Sequence, residues 1–178
     1  LYIQWSLSKF FPAKTMGSHV TNWNKNTSVK FRTDVCSSCK LGFDIDLKSL
    51  SEDDYKFVQQ AVKNYNSMKP VILEGDQYRL VSPYEGSHCA VNYVSKDKQR
   101  AVLFAYDLHP RYKEPQMNVK LQGLNPTKLY TVKETNLMPG KTSELECDGK
   151  QYSGDYLMKV GLSVFSAQDG TSHVLTLE

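Results

Sequence analysis

The chain has 178 residues, 40% of them hydrophobic and 23% charged, an ordinary balance for a soluble globular protein. Its net charge of +3 comes from Lys and Arg residues scattered among acids, so no basic stripe marks a nucleic-acid surface. No apolar run is long enough to span a bilayer, and the length allows one large domain or two small ones.

Leu1 to Phe11 carries apolar residues at helical spacing, with Ile3, Leu7 and Phe10 or Phe11 on one face, and Pro12 stops it. The chain opens on Leu1, not Met, inside this amphipathic segment. It lacks the charged start and the cleavage site of a signal peptide. The expectation is that residue 1 is not a natural start and that further chain precedes it, which leaves cytoplasm and bacterial periplasm both open as compartments.

Thr15 to Thr21 reads as a short strand, followed by the turn-forming loop Asn22-Trp23-Asn24-Lys25-Asn26. Thr27 or Ser28 caps the next helix, on which Phe31, Val35 and Cys39 share a face. Gly42 breaks that helix, and Phe43, Ile45 and Leu47 alternate with Asp44 and Asp46 as a second strand. Ser51-Glu52-Asp53-Asp54 starts the longest helix, with Leu50 and Tyr55 as a hydrophobic staple. Tyr55, Val58, Val62 and Tyr65 line one face, the helix runs to about Met68, and Pro70 ends it. Residues 1–74 therefore alternate helix and strand in the manner of a parallel α/β fold. Two strands do not make a stable sheet of that kind, so the segment reads as the end of a larger barrel.

From about Gly75 the pattern changes to short β-prone runs between turn signals. The runs are Tyr78–Val81, Cys89–Val94, Arg100–Tyr106, Met117–Leu121, Leu129–Glu134, Tyr156–Val160 and Ser172–Leu177. Ala101 to Tyr106 is apolar on both faces and reads as a central strand. Some seven strands over residues 75–178 fit an antiparallel β-sandwich.

Four cysteines are present, and Cys36 and Cys39 have the C-x-x-C spacing of redox motifs and zinc knuckles. No second Cys or Cys/His pair completes a zinc site. The motif lies late in a helix, where the dipole raises a thiolate's pKa instead of lowering it. Packing thiols are the expected reading, with no cofactor and no metal.

An ordered set of motifs resembles the α-galactosidases of glycoside hydrolase family 36. It runs from Phe11-Pro12 and Met16-Gly17-Ser18-His19-Val20-Thr21 through Phe31-Arg32-Thr33-Asp34 to Leu41-Gly42-Phe43-Asp44-Ile45-Asp46-Leu47. Leu50-Ser51-Glu52-Asp53, Gly75-Asp76-Gln77-Tyr78-Arg79-Leu80 and Leu121-Gln122-Gly123-Leu124-Asn125-Pro126 continue it. The resemblance implies the last βα units of a (β/α)8 catalytic barrel over residues 1–74, then the C-terminal antiparallel β-sandwich over 75–178. It implies retaining hydrolysis of terminal α-galactosides of the melibiose and raffinose type by two aspartates, with a galactoside as the ligand. No position here matches either aspartate's motif, so no catalytic residue is assigned in this span, and residues 1–178 alone are expected to be inactive. Asp34, Asp44 and Asp46 read as helix-surface or strand-edge acids.

His19, Ser18 and Trp23 are the residues expected at the substrate-site rim. His19 follows Gly17-Ser18 at the carboxyl end of a strand, the end at which barrels bind ligands. Its imidazole can bond a sugar hydroxyl or hold a carboxylate, or it can be a structural histidine bonded to backbone. Trp23 offers an apolar plane to a pyranose ring or packs in the ordinary way. His88, His109 and His173 read as surface or structural residues. Three alternatives stay open: a carbohydrate-binding sandwich using Tyr78, Tyr84, Tyr93, Tyr106 and Tyr112; a thiol-redox or metal protein; and a structural cap on the barrel. Baring the edges of strands 15–21 and 43–47 implies one of two outcomes. Either residues 1–47 self-associate, or they give up the strand conformation and pack as helices and loops on the β domain.

Overall fold

Residues 1–74 form a helix–strand–helix–strand–helix run whose two strands pair with each other in parallel. The computed structural model describes residues 1–178 apart from 24, 25, 115, 116 and 167, so Asn24 and Lys25 of the loop after the first strand lie outside the described residues. The elements are α1 (Tyr2–Leu7), β1 (Gly17–Thr21), α2 (Val29–Ser37), β2 (Lys40–Asp44) and α3 (Glu52–Glu74). Both strands keep a regular register, from Gly17 opposite Lys40 to Thr21 opposite Asp44. The expected loss of strand conformation therefore does not occur. Covering one face of the pair with α2 and α3 is enough to hold it.

Local chemistry sets the ends. Helix α1 stops at Leu7, short of the expected Phe11: the Ser8 hydroxyl donates to the Trp5 carbonyl at 2.7 Å, and Phe10 and Phe11 find nothing to pack on. Ser28 caps α2, its hydroxyl accepting from the Phe31 amide at 3.0 Å. Helix α2 ends at Ser37, which lets the second strand begin at Lys40 instead of Phe43, with Gly42 at its centre. Ile45 to Leu47 leaves the sheet, and Leu47–Ser49 is a single 3-10 turn. Ser51 caps α3, and Glu52, Asp53 and Asp54 sit in its first turn against the helix dipole.

Helix α3 does not end at Pro70. The ring removes one backbone hydrogen bond and costs about 3 kcal/mol, yet Val71 and Ile72 beyond it are buried, each worth about 1.5–3 kcal/mol. Burial offsets the break, and the helix continues until Gly75, whose amide donates to the Val71 carbonyl at 3.0 Å. The buried face is centred on Phe57, Ala61, Tyr65, Met68 and Ile72, while Tyr55 and Val62 of the expected face are exposed.

Beyond Gly75 come β3 (Asp76–Val81), β4 (His88–Val94), β5 (Ala101–Asp107), β6 (Asn118–Val119), β7 (Leu129–Thr135), β8 (Gln151–Ser153), α4 (Gly154–Lys159), β9 (Leu162–Ser163) and β10 (Thr171–Leu177). Six of them form an antiparallel sheet in the order β3-β4-β5-β10-β7-β8. The expected strand at 117–121 shrinks to β6, which pairs only with β9 in a ribbon stacked on one face of the sheet. The run 156–160 is helix, not strand. Ser153 caps it by accepting from the Tyr156 amide at 3.1 Å, and Gly161 ends it at φ +82°. Capping overrides the β propensity of Tyr156 and Val160.

The sheet is covered on both faces. Ala90, Leu103, Tyr130, Val132 and Leu175 pack under the ribbon and α4, against Val119, Leu157 and Leu162. Val91, Tyr93, Phe104, Tyr106 and Val174 pack on the opposite face, against Trp5, Val35, Tyr65, Met68 and Ile72 of the helical layer. The two layers are also joined by polar contacts: Tyr106 and Tyr93 of the sheet donate their hydroxyls to the carbonyls of Asp34 and Ser38 at 3.1 and 2.5 Å. Within the helical layer, Tyr65 of α3 donates to the Cys39 carbonyl at 2.8 Å.

Asp34 is not a surface acid. It is fully buried between α2 and the sheet. One carboxylate oxygen accepts from Lys30 Nζ at 2.6 Å and from the Ser172 hydroxyl at 2.7 Å, and the other accepts from Asn136 Nδ2 at 2.8 Å. Asn136 in turn accepts from Asn64 of α3 at 2.8 Å, so one network crosses α2, α3, β10 and the end of β7. Burial pushes the Asp34 carboxyl's pKa up, and the Lys30 ammonium and the hydroxyl and amide donors pull against it.

Cys36 and Cys39 are buried, one accepting from the Ser18 hydroxyl at 3.2 Å and the other from Gln4 Nε2 at 3.2 Å. Burial raises both thiol pKa values, and it pushes Cys89 to about 12 and Cys147 to about 11. Thiols held this way are poor nucleophiles.

Two outcomes follow from this packing. Asp34→Ala lowers unfolding free energy by about 3–5 kcal/mol, because it strands the Lys30 charge and the Asn136 donor. Lys14→Ala, which breaks the exposed pair with Glu74 at 3.2 Å, costs under about 1 kcal/mol. Urea unfolding of both variants checks the contrast, and equal losses contradict it. In the native chain all four thiols react with a disulfide reagent at neutral pH only as fast as the chain opens, and all four react at once in denaturant. A pair that titrates rapidly in the folded chain restores the redox reading.

Candidate functional site

Side chains alternate across the β1–β2 pair and give its two faces different chemistry. On the helix side, Ser18 reaches Cys36 of α2, Val20 is buried, and Leu41 and Phe43 pack against the helices. The opposite face carries Gly17, His19 and Thr21 from β1, and Lys40, Gly42 and Asp44 from β2. His19 is exposed there and lies over its register partner Gly42, so close that a Cβ on Gly42 would stand 1.9 Å from the ring's Cδ2. Thr21 and Asp44 end the two strands side by side. All six residues of this face are at least partly open to solvent.

The three residues expected together are therefore not on one surface. His19 is on the open face. Ser18 is on the helix face, where its hydroxyl joins β1 to α2. Trp23 lies just past the carboxyl end of β1, 89% exposed and packed on nothing that would explain an indole. The chain between them is fixed by Arg32 of α2, whose guanidinium donates to the Thr21 carbonyl. Asp44 and Thr21 were not among the expected site residues. The parallel register, together with strict alternation, is the signal that places them beside His19.

The β domain holds two further acid–histidine pairs. His88 Nδ1 is 2.8 Å from Asp107 Oδ1, and its ring stacks on Phe165 at 4.2 Å. Asp107 also accepts from the Ser166 amide and hydroxyl at 2.9 and 2.8 Å and from the Thr171 hydroxyl at 2.9 Å, which ties the loop before β10 to β5. His173 Nδ1 is 2.6 Å from Glu134, whose other oxygen accepts from Ser143. The pairs join neighbouring strands, β4 to β5 and β10 to β7, and each acid also holds a loop serine, Ser166 or Ser143. Of the tyrosines considered for sugar stacking, Tyr93 and Tyr106 are fully buried, and Tyr84 and Tyr112 are exposed. Among the described residues no group of three or more His, Cys, Asp or Glu side chains is arranged to hold a metal ion.

The family model described as Melibiase matches residues 1–75, and the model of the Glycosyl hydrolase family 36 C-terminal domain matches residues 88–177. The chain is 28% identical, over 100% of its length and 23% of the relative's, to the Aspergillus terreus protein named "Probable alpha-galactosidase G". It superposes on the crystal structure of the GH36 α-galactosidase AgaB of Geobacillus stearothermophilus with a TM-score of 0.84 at 27% identity, covering 99% of this chain and 23% of that one. An AgaA variant from the same organism, solved in complex with raffinose, gives a TM-score of 0.85 at 26% identity over 99% of this chain and 23% of that one. The chain thus spans about a quarter of the length of the proteins it matches. Its parallel βα run is the end of a barrel and its antiparallel sheet a C-terminal β domain, and the chain belongs to glycosyl hydrolase family 36.

Proposed function

We propose that this chain is the C-terminal part of a retaining α-galactosidase that hydrolyses terminal α-galactosides of the melibiose and raffinose type. What carries the reading is the likeness, over nearly the whole chain, to a family 36 enzyme solved with raffinose. The division into barrel end, residues 1–74, and β domain, residues 75–178, follows the change of layer at Gly75, where α3 stops and β3 begins. His19 and Trp23 form the rim of the sugar site from this part of the molecule, with Thr21 and Asp44 on the same open face. Ser18 contributes by holding β1 to α2.

Retention of configuration needs a nucleophilic carboxylate and a proton-donating carboxylic acid about 5–5.5 Å apart. β1 and β2 carry one acid between them, Asp44. The catalytic pair is accordingly supplied by other strands of the barrel, and this segment binds and shapes. The 178-residue polypeptide at high concentration is expected to release no aglycone from an aryl α-galactoside. An enzyme that includes this segment releases it and yields galactose first as the α-anomer. Turnover by residues 1–178 alone that disappears on Asp44→Asn contradicts the assignment.

We also propose that the barrel-side surface is a contact surface. Among the described residues, β1 and β2 each have one edge with no neighbouring strand. Ile3, Phe10 and Phe11 are exposed, and Phe43, Leu47, Tyr55, Val58 and Val62 line an open groove of about 460 Å³. In isolation, residues 1–178 are expected to self-associate through residues 1–47, with a light-scattering mass that rises with concentration. Phe10→Ser with Phe11→Ser should return it toward the monomer. A wild-type mass that stays at 20.3 kDa across the range rules the contact out.

A further inference from the structure

We infer that Gly42 is a positioning residue for His19: by lacking a side chain it leaves room for the Cδ2 edge of the imidazole over β2 on the open face, the pose in which the ring meets a sugar hydroxyl. The inference rests on the α-galactosidase reading for its ligand and on geometry alone for the pose.

His19 and Gly42 are direct register partners in a parallel pair, so their side chains leave the sheet on the same side. The ring occupies the volume that any other residue at 42 would need. A Cβ there would stand 1.9 Å from Cδ2, 2.5 Å from Nε2 and 3.2 Å from Cγ of His19. Backbone conformation does not call for glycine, since Gly42 is not among the residues with positive φ. A glycine inside a strand weakens it and frequently marks the close approach of another group. Here the approaching group is the imidazole. Gly17, on the same face of β1, makes the contrast: a Cβ there would meet nothing within 4 Å.

The strands cannot retreat to make room. On the helix side, Ser18 is bonded to Cys36, and the Leu41 amide donates to the Tyr65 hydroxyl at 3.2 Å. Those contacts flank His19 and Gly42 in sequence and fix both backbones. The imidazole is the far end of an exposed side chain, so it is the group that moves. Gly42→Ala therefore displaces the His19 ring while leaving the histidine in place and without emptying or overfilling the buried core.

The test has two readouts. In the 178-residue chain labelled at histidine, Gly42→Ala should shift the His19 ring resonances. Those of His88, His109 and His173 should stay in place, and Gly17→Ala should shift none of the four. An unmoved His19 overturns the pose whatever the protein hydrolyses. In the enzyme that includes this segment, Gly42→Ala and His19→Ala should each lower kcat/KM for an α-galactoside about tenfold or more with little change in melting temperature. The double variant should be no worse than His19→Ala, because both act on one group. Multiplicative losses, or a displaced ring with wild-type kcat/KM, overturn the positioning role. A wild-type enzyme with no α-galactosidase activity, in which the ring still shifts on Gly42→Ala, refutes the functional reading and the sugar role while leaving the pose intact.

Discussion

The carboxyl end of α2 is where the two layers meet, and the carbonyls of its last turn and of the two residues after it need partners from outside the helix. Three tyrosines from three elements take them: Tyr106 of β5 the carbonyl of Asp34, Tyr93 of β4 that of Ser38, and Tyr65 of α3 that of Cys39. Each such bond is worth only about 0.5–1.5 kcal/mol net, but a buried carbonyl left unpaired costs about 1–3 kcal/mol. The larger consequence is geometric. Three hydroxyls aimed at one helix end fix where α2 lies on the sheet, to a precision that apolar packing alone does not reach. Helix α2 then fixes β1, through Ser18 on Cys36 and Arg32 on the Thr21 carbonyl. The position of His19 is therefore set in part from the β domain, through the buried Tyr93 and Tyr106.

The same docking explains why β4 and β5 are buried along their whole lengths. A sheet with one wet face alternates apolar and polar residues. This one has helices on one face and the β6–β9 ribbon with α4 on the other, so both sets of alternating residues are needed for packing. Tyr93, Phe104 and Tyr106 serve the helical face, and Ala90, Leu103 and Ala105 the ribbon face. On β4 and β5 the large aromatics lie under the helices, while Tyr130 of β7 is the aromatic under the ribbon. The β domain thus acts as a platform for the end of the barrel, and the Asp34 network locks the two together with a charge that neither layer could bury alone.

Much of this was legible in the residues. The apolar run Ala101–Tyr106 marked the central strand, and β5 does lie between β4 and β10. Ser28 and Ser51 marked their helix starts, because an N-cap is a local event decided by one hydroxyl. What stayed hidden depends on partners distant in sequence. Pro70 reads as a stop until Val71 and Ile72 are seen to be buried beyond it. Asp34 reads as a surface acid until Asn136 and Ser172, more than a hundred residues away, close around it. Residues 156–160 look like a strand because β propensity reports a half-buried surface, whereas Ser153 and Gly161 fix the backbone directly. Gly42 was misread for a related reason. A glycine after a helix looks like its terminator, and only the pairing with β1 shows that it belongs to a strand and has a neighbour's ring above it.

A two-stranded unit gives each face to one task. In this chain residues 18, 20, 41 and 43 hold the strands to the helices, and residues 17, 19, 21, 40, 42 and 44 face away from them. In the 178-residue chain, changes on the open face therefore carry little cost in folding, and that face holds an exposed histidine, an acid and two glycines in two short strands. The helix face has no such latitude, since a polar residue at Val20 would be buried without a partner. The division also predicts where sensitivity should and should not couple. A substitution at Ser18 or Arg32 reaches the site only by moving β1 as a whole, so its effects on binding and on stability rise together. One at Gly42 moves a single ring and separates them.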